Sequence, residues 1–188
     1  MNGHTLTPPV GLGDHVQGSA DAPLTLVEYG DYECPYCGRA QPIVRAVQRR
    51  LGEDLRFAFR HFPLTQVHPH AQPAAEAAEA AAEHGRFWLM HDRLFQSQRA
   101  LDHAGLIADA DALGIEPAWI AAALLTHAFA DRVRRHFLTG LRSGVNGTPT
   151  FFVNGVRHDG PWDESSLLVA LEAALYAPRM PASTAKRT

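Results

Sequence analysis

The sequence predicts an α/β protein whose sheet-forming halves are separated by a helical insertion. An apolar run, PLTLVEYG from Pro23 to Gly30, is followed by apolar residues at helical spacing and then by the alternating run DLRFAFRHF. Strand, helix and strand in close succession begin a βαβ arrangement. From about Pro69 to Val145 the sequence becomes Ala-rich and helical, and strand signals return after it.

The first half contains two predicted strands and the helix between them. Gly30 ends the first strand, and the second strand alternates around Leu55, Phe57 and Phe59. The intervening helix is predicted to begin at Pro35 and to end at Gly52. Its apolar residues recur at the spacing of one helical face: Ala40, Ile43, Val44, Val47 and Leu51.

The Ala-rich segment is predicted to form four helices, the last of them covering EPAWIAAALLTHAFADRVRRHFLTGLRSG. Gly85, Gly114 and Pro117 mark the connections. Three groups of side chains are interpreted as ordinary: glutamates on a solvated face (Glu76, Glu79, Glu83), core residues of the insertion (Trp88, Met90, Phe95, Trp119, Phe129) and surface histidines (His68, His70).

The second half is predicted to contain a strand, a hairpin and a final helix. Phe151 to Val153 is apolar, and Asn154-Gly155 is the strongest short signal for a two-residue hairpin turn. Asp163 is the predicted N-cap of the last helix. The polar, Pro-rich segment after it is expected to be disordered.

Net charge and the distribution of apolar residues indicate which partners and which cellular location to expect. A chain of 188 residues with a net charge of -3 gives no general electrostatic reason to expect a nucleic acid or membrane partner. The first twenty residues lack a basic segment followed by an apolar one, and no apolar run is long enough to span a bilayer. We therefore expect a cytoplasmic protein. We also expect a monomer. A signal peptide already removed would instead indicate a periplasmic or extracytoplasmic protein.

The only two cysteines, Cys34 and Cys37, lie at the predicted junction of strand and helix. Cys34 precedes the helix that begins at Pro35, where free backbone N–H groups and the helix dipole favour a thiolate. Cys37 lies one turn inside, within bonding reach, so Cys34 is predicted to attack and Cys37 to resolve. The alternatives are a zinc half-site completed by histidines and two cysteines without a role.

The segments VEYGDYECPYC and GVNGTPTFFVNG, over a hundred residues apart, resemble the DsbA-like branch of the thioredoxin superfamily. The resemblance covers nearly the whole chain. It implies a thioredoxin fold, a central mixed sheet flanked by helices, with a discontinuous domain of residues 1–66 and 146–177. Residues 67–145 would form the helical insertion domain, and residues 178–188 a disordered tail.

The resemblance also implies roles for the residues of the C-P-Y-C segment. Cys34 matches the exposed nucleophile and Cys37 the buried partner, while Pro35 and Tyr36 match the variable dipeptide that tunes the pair. Glu28 matches a buried acid that passes protons to and from Cys37. The alternative for Glu28 is an ion pair on the neighbouring strand with Arg60.

Thr148 and Pro149 match the cis-proline pair of the family. Beside the sulfurs, Pro149 cannot donate a hydrogen bond, while the backbone groups of Thr148 would pair with an extended substrate segment. Recognition through the main chain would accept many protein substrates.

The expected function is that of a protein thiol-disulfide oxidoreductase that forms or reduces disulfides. No metal or cofactor is predicted beyond the redox-active disulfide of Cys34 and Cys37. Glutathione or an unidentified partner redox protein would recycle the pair. Two alternatives stay open: a glutaredoxin-like, glutathione-dependent reductase, and a non-enzymatic module that binds zinc or acts as a peptide-binding chaperone.

Overall fold

The computed structural model describes residues 4–176 of the chain, so the predicted tail at 178–188 lies outside the described residues. Strands and helices alternate in the first and last thirds, and helices fill the middle. Their bounds, in chain order, are β1 His15–Gln17, β2 Leu24–Gly30, α1 Pro35–Leu51, β3 Leu55–His61, α2 Ala71–Ala82, α3 Phe87–Gln96, α4 His103–Asp111, α5 Pro117–Leu125, α6 Ala130–Arg142, β4 Thr150–Val153, β5 Val156–His158 and α7 Glu164–Tyr176.

The sheet is mixed, with the strand order β1-β3-β2-β4-β5. Strands β2 and β3 are parallel and joined through α1, whereas every other neighbouring pair is antiparallel. The predicted thioredoxin fold with a helical insertion is therefore confirmed. The short edge strand β1 was not predicted, because its three residues are polar or half-buried and give no alternating pattern.

Each face of the sheet has its own apolar core. On one face, Phe57 and Phe59 of β3 pack with buried residues of α1, α7 and the Ala-rich helices. On the other, Tyr29 and Phe152 pack with Phe62 and residues near α6. Strand β2 contributes to both cores because successive side chains of a strand point to opposite faces.

The turn and cap predicted in the second half are confirmed. Asn154 and Gly155 have φ values of 46° and 82°, the positive pair that a type I′ turn requires. Asp163 accepts a hydrogen bond from the backbone N–H of Ser166 at 3.0 Å, which caps α7. Sheet pairing continues directly across the turn, since Val153 opposes Val156.

The prediction of four helices between β3 and β4 is wrong, because the structure contains five there. The long run expected as one helix is divided into α5 and α6. At the break, His127 has a φ of 51°, and the Thr126 hydroxyl donates back to the carbonyl of Ala122 at 2.8 Å. This left-handed residue lies in a stretch without glycine or proline, so the sequence pattern shows no sign of it.

The solvated face predicted for the glutamates of α2 is also wrong. Glu76 and Glu79 are buried, and only Glu83 is exposed. Glu79 lies 2.8 Å from both His15 and His61. It also pairs with Arg132 of α6 at 2.7 Å. These partners balance the buried charge and join the insertion to the sheet. By contrast, the prediction for the five apolar residues of the insertion is confirmed, since they pack in or against the apolar core that contains Phe57 and Phe59.

Candidate active site

The two cysteines occupy the N-terminal turn of α1, as predicted. Cys34 is the N-cap with an extended backbone, and Pro35 is the first helical residue. The Cys34 carbonyl accepts the first helical hydrogen bond, from the N–H of Gly38 at 3.1 Å. Both cysteines are free thiols in this structure.

Exposure differs from the prediction at Cys34. The residue is only 3% exposed, while Cys37 is fully buried and the neighbouring Tyr36 is 54% exposed. The expectation of an exposed nucleophile is therefore wrong for this structure. The cover comes partly from the segment before β4, where the Thr148 carbonyl oxygen lies 3.4 Å from the Cys34 sulfur and accepts a hydrogen bond from it when the thiol is protonated.

The thiols have opposite electrostatic environments. A hydrogen bond from the Cys37 side chain, helped by the Thr148 side chain and by backbone N–H groups of Cys37 and Tyr36, lowers the pKa of Cys34 to about 5 against the opposing effect of burial. Burial, followed by the bond to Cys34, raises the pKa of Cys37 well above its usual value. Cys34 is thus the thiolate of the pair and Cys37 the protonated thiol.

Thr148 and Pro149 lie directly beside this pair. The peptide bond between them is cis, as the family resemblance implied. The Thr148 hydroxyl is buried and has no hydrogen-bond partner in the described part of the chain. It is therefore free to donate to the Cys34 sulfur once that sulfur is ionised.

Glu28 lies in β2 with its side chain buried, and its Oε1 atom has no partner among residues 4–176. Burial, followed by the charge of Cys34, raises the pKa of Glu28 to about 8. Glu28 in turn contributes to the raised pKa of Cys37. A cavity of about 10 Å³, room for about one water molecule, borders Glu28 and the polar side chains of Gln41 and Gln48.

The alternative ion pair between Glu28 and Arg60 is wrong, and the strand register explains why. Glu28 stands opposite Phe59, whereas Arg60 stands opposite Tyr29, so the two side chains point to opposite faces of the sheet. Arg60 instead pairs with Asp14 at 2.6 Å and donates to the Tyr29 hydroxyl at 2.9 Å. Glu28 therefore has no counter-ion among residues 4–176.

A carboxylate that the sequence analysis missed organises the loop before Cys34. Asp31 is buried, and its side chain accepts hydrogen bonds from the backbone N–H groups of Glu33 and Leu64 at 2.8 and 2.9 Å. It also lies 2.8 Å from Nδ1 of His68. The interpretation of His68 as an ordinary surface residue is therefore wrong. The sequence feature that could have pointed to Asp31 is its position directly after the strand that ends at Gly30.

One further cluster has the residue types of a metal site. His61, Glu79 and His136 are buried and bring ligand atoms within 4.8 Å of one another, and this group contains neither cysteine. However, both Glu79 oxygens already have partners, including the guanidinium of Arg132. A divalent cation there would face a carboxylate whose charge is already balanced. We therefore interpret the cluster as a structural polar network.

Comparisons with known proteins identify relatives of this fold. A family model described as thioredoxin matches residues 12–173. The chain is 26% identical to oxidised BdbD from Bacillus subtilis, with a TM-score of 0.81 over 88% of this chain and 94% of that one. It is also 26% identical to a thioredoxin-like oxidoreductase from Silicibacter pomeroyi, with a TM-score of 0.77 over 89% and 95%.

A curated relative carries a different name. The chain is 46% identical over 167 residues to Na(+)/H(+) antiporter NhaA 3 of Salinispora tropica, covering 89% of this chain but only 26% of that protein. The chain therefore spans about a quarter of the length of the curated relative. None of the helices in residues 4–176 combines the length and apolar character needed to cross a bilayer. The family match and the solved structures together show that the chain belongs to the thioredoxin family, as a DsbA-like member of that superfamily.

Proposed function

We propose that this protein is a thiol-disulfide oxidoreductase acting on protein substrates, with Cys34 as nucleophile and Cys37 as resolving thiol. The observation that carries the proposal is the opposite shift of the two thiols, with a lowered pKa at Cys34 and a raised pKa at Cys37. The thiolate is the attacking species in disulfide exchange. Pro35 and Tyr36 complete the turn that separates the pair.

The proposed reduction proceeds in two exchanges. The Cys34 thiolate attacks a substrate disulfide, which forms a mixed disulfide and releases one substrate thiolate. Cys37 then loses its proton and attacks Cys34, which releases the second substrate thiolate and leaves the Cys34-Cys37 disulfide. Oxidation of a substrate dithiol is the same sequence in reverse.

We assign Glu28 the role of proton carrier for the second exchange. The charge on Cys34 helps to raise the pKa of Glu28 to about 8. In the mixed disulfide that charge is gone, so the pKa of Glu28 falls and its carboxylate can accept the Cys37 proton. The adjoining cavity supports a route by which water exchanges that proton with solvent.

The direction of the reaction is tested by equilibrating the protein in a series of glutathione redox buffers. A midpoint near about -120 to -180 mV would indicate a donor of disulfides and an exported protein. A midpoint near about -240 mV or lower would indicate a cytoplasmic reductase. If no intramolecular disulfide forms in any buffer, the proposed function is wrong.

The alkylation rate of Cys34 is expected to stay nearly constant at neutral pH and to fall as the pH decreases through about 5, because the thiolate is then protonated. The measurement is the rate of iodoacetamide labelling across a pH series. A Cys37→Ser variant is the control, since the hydroxyl retains a donor to Cys34 and should move the profile only modestly. A rate that instead falls below pH 8 to 9 would contradict a stabilised thiolate.

We propose as a second candidate role that the protein exchanges disulfides with a sodium–proton antiporter. The observation behind this role is that a protein named as such an antiporter contains a stretch 46% identical to this chain. Cys37→Ser protein would be incubated with membranes that contain an NhaA-type antiporter. A mixed disulfide with the mass of both proteins supports the role, and exclusive labelling of other proteins contradicts it.

A further inference from the structure

Gln98, which follows α3, contacts the backbone of the redox loop. Its Nε2 amide donates hydrogen bonds to the carbonyl oxygens of Tyr32 and Cys34, at 2.7 and 2.9 Å. One side-chain amide therefore uses both of its hydrogens on the two carbonyls that flank Glu33. Through this side chain the helical segment between β3 and β4 reaches the residue that carries the reactive sulfur.

Gly38 in α1 provides the space for this contact. A Cβ atom at position 38 would lie 2.1 Å from Oε1 of Gln98 and 2.8 Å from its Cδ. The backbone of Gly38 does not have a positive φ, so its conformation does not demand glycine. A glycine inside a helix is destabilising relative to alanine, and here the close approach of Gln98 is the feature that accounts for it.

We propose that Gln98 is a positioning residue of the redox site, which holds the N-terminal turn of α1 in the geometry that the Cys34 thiolate requires. The inference rests on the proposed function. Backbone N–H groups of Tyr36 and Cys37 stabilise that thiolate. Their direction depends on the position of the Cys34 backbone, whose carbonyl oxygen accepts a hydrogen bond from Gln98.

Loss of the two hydrogen bonds from Gln98 should therefore destabilise the dithiol state more than the disulfide state. The reason is that only the dithiol state contains the Cys34 thiolate, whereas the disulfide has no charge for those N–H groups to stabilise. The equilibrium with glutathione should move towards the Cys34-Cys37 disulfide, and the Cys34 pKa should rise.

The test compares Gln98→Ala and Gln98→Met with the wild type, using the equilibrium constant in glutathione buffers and the pH titration of thiolate absorbance. We expect a roughly tenfold shift towards disulfide, equivalent to about 30 mV, in both variants. Gln98→Met keeps the side-chain volume and removes the donors. The exposed Gln96 lies at the end of α3, so Gln96→Ala is the matched control and should leave both values unchanged.

A Gly38→Ala variant supplies an independent test of the same contact. The added methyl group should displace the Gln98 amide from the two carbonyls, so the single variant should reproduce the shift of Gln98→Ala. The double variant should then shift no further than either single variant, because both changes remove one interaction.

The outcomes separate this inference from the function on which it rests. If the wild type forms no intramolecular disulfide, the proposed function fails. If the wild type titrates normally while Gln98→Ala and Gln98→Met match it in both measurements, only the positioning role is overturned. Additive shifts in the double variant would also overturn it, since they would show that Gly38 and Gln98 act separately.

Discussion

Replacing Cys34 by serine is expected to abolish disulfide exchange while leaving the fold intact. A serine hydroxyl is not ionised at neutral pH, so the nucleophile is lost. The position itself tolerates the change, because Cys34 is the N-cap of α1 and serine is among the preferred N-cap residues. Turnover of a disulfide-containing protein substrate should fall to the uncatalysed rate, and the thermal unfolding midpoint should be unchanged or slightly higher.

The matched variant, Cys37→Ser, should behave differently although it removes the other thiol of the same pair. Cys34 can still attack, so the first exchange should occur and the mixed disulfide should accumulate. A non-reducing gel should show about one substrate molecule linked to each Cys37→Ser molecule and none linked to Cys34→Ser. Persistent turnover by Cys34→Ser, or accumulation of the adduct in that variant instead, would contradict the assigned roles.

The redox pair was predictable because its geometry is local. The sequence C-P-Y-C places proline at the first position of a helix and puts the cysteines three residues apart, so strand, cap and helix follow from neighbouring residues. The contact between Cys34 and Thr148 spans more than a hundred residues, and only the family resemblance indicated it. The register of β2 with β4 is what brings these segments together.

The predictions for the α2 glutamates and for the helices of the insertion were wrong because tertiary contacts, not the local sequence pattern, determine the structure there. Glu79 has the helical spacing of a solvated face, but β1 and α6 cover that face and provide His15 and Arg132. The break at His127 depends on a left-handed residue that no glycine or proline marks. Propensity and periodicity describe one element at a time, so they cannot show which other element covers it.

The loop contacts of the site were missed for a similar reason. Asp31 and Gln98 are polar residues in or beside loops, where sequence patterns carry no periodic signal. Their importance comes from the backbone groups that they bind, and those groups belong to other segments of the chain. The chemistry of the site could be predicted from its cysteines, while the supports that hold the cysteines in place required the structure.

Replacing Glu28 by glutamine is expected to remove a large part of the pH dependence of stability in the reduced protein. The carboxyl has a raised pKa of about 8 when folded, compared with 4.5 as the reference value. Its contribution to the free energy of unfolding is therefore fully present below pH 4.5 and is lost as the pH rises through 8. Within that window the free energy of unfolding of the wild type should decrease by roughly 1.4 kcal/mol per pH unit relative to that of the variant.

The measurement is urea unfolding of both reduced proteins at a series of pH values between 5 and 9. The slope against pH is the informative quantity, because the buried glutamine amide also changes stability by an amount that does not vary with pH. Titrating groups that do not interact with Glu28 are shared and cancel in the difference. The two cysteine thiols do interact with Glu28, and the oxidised proteins remove their contribution because the thiols are then absent. In the oxidised proteins the Cys34 charge is absent, so the pKa of Glu28 should be raised less and the difference in slope should end at a lower pH. If the unfolding free energies of wild type and Glu28→Gln ran parallel against pH in both redox states, Glu28 would be ionised throughout this range. A carboxylate that stays ionised could not carry the Cys37 proton near neutral pH in the way proposed.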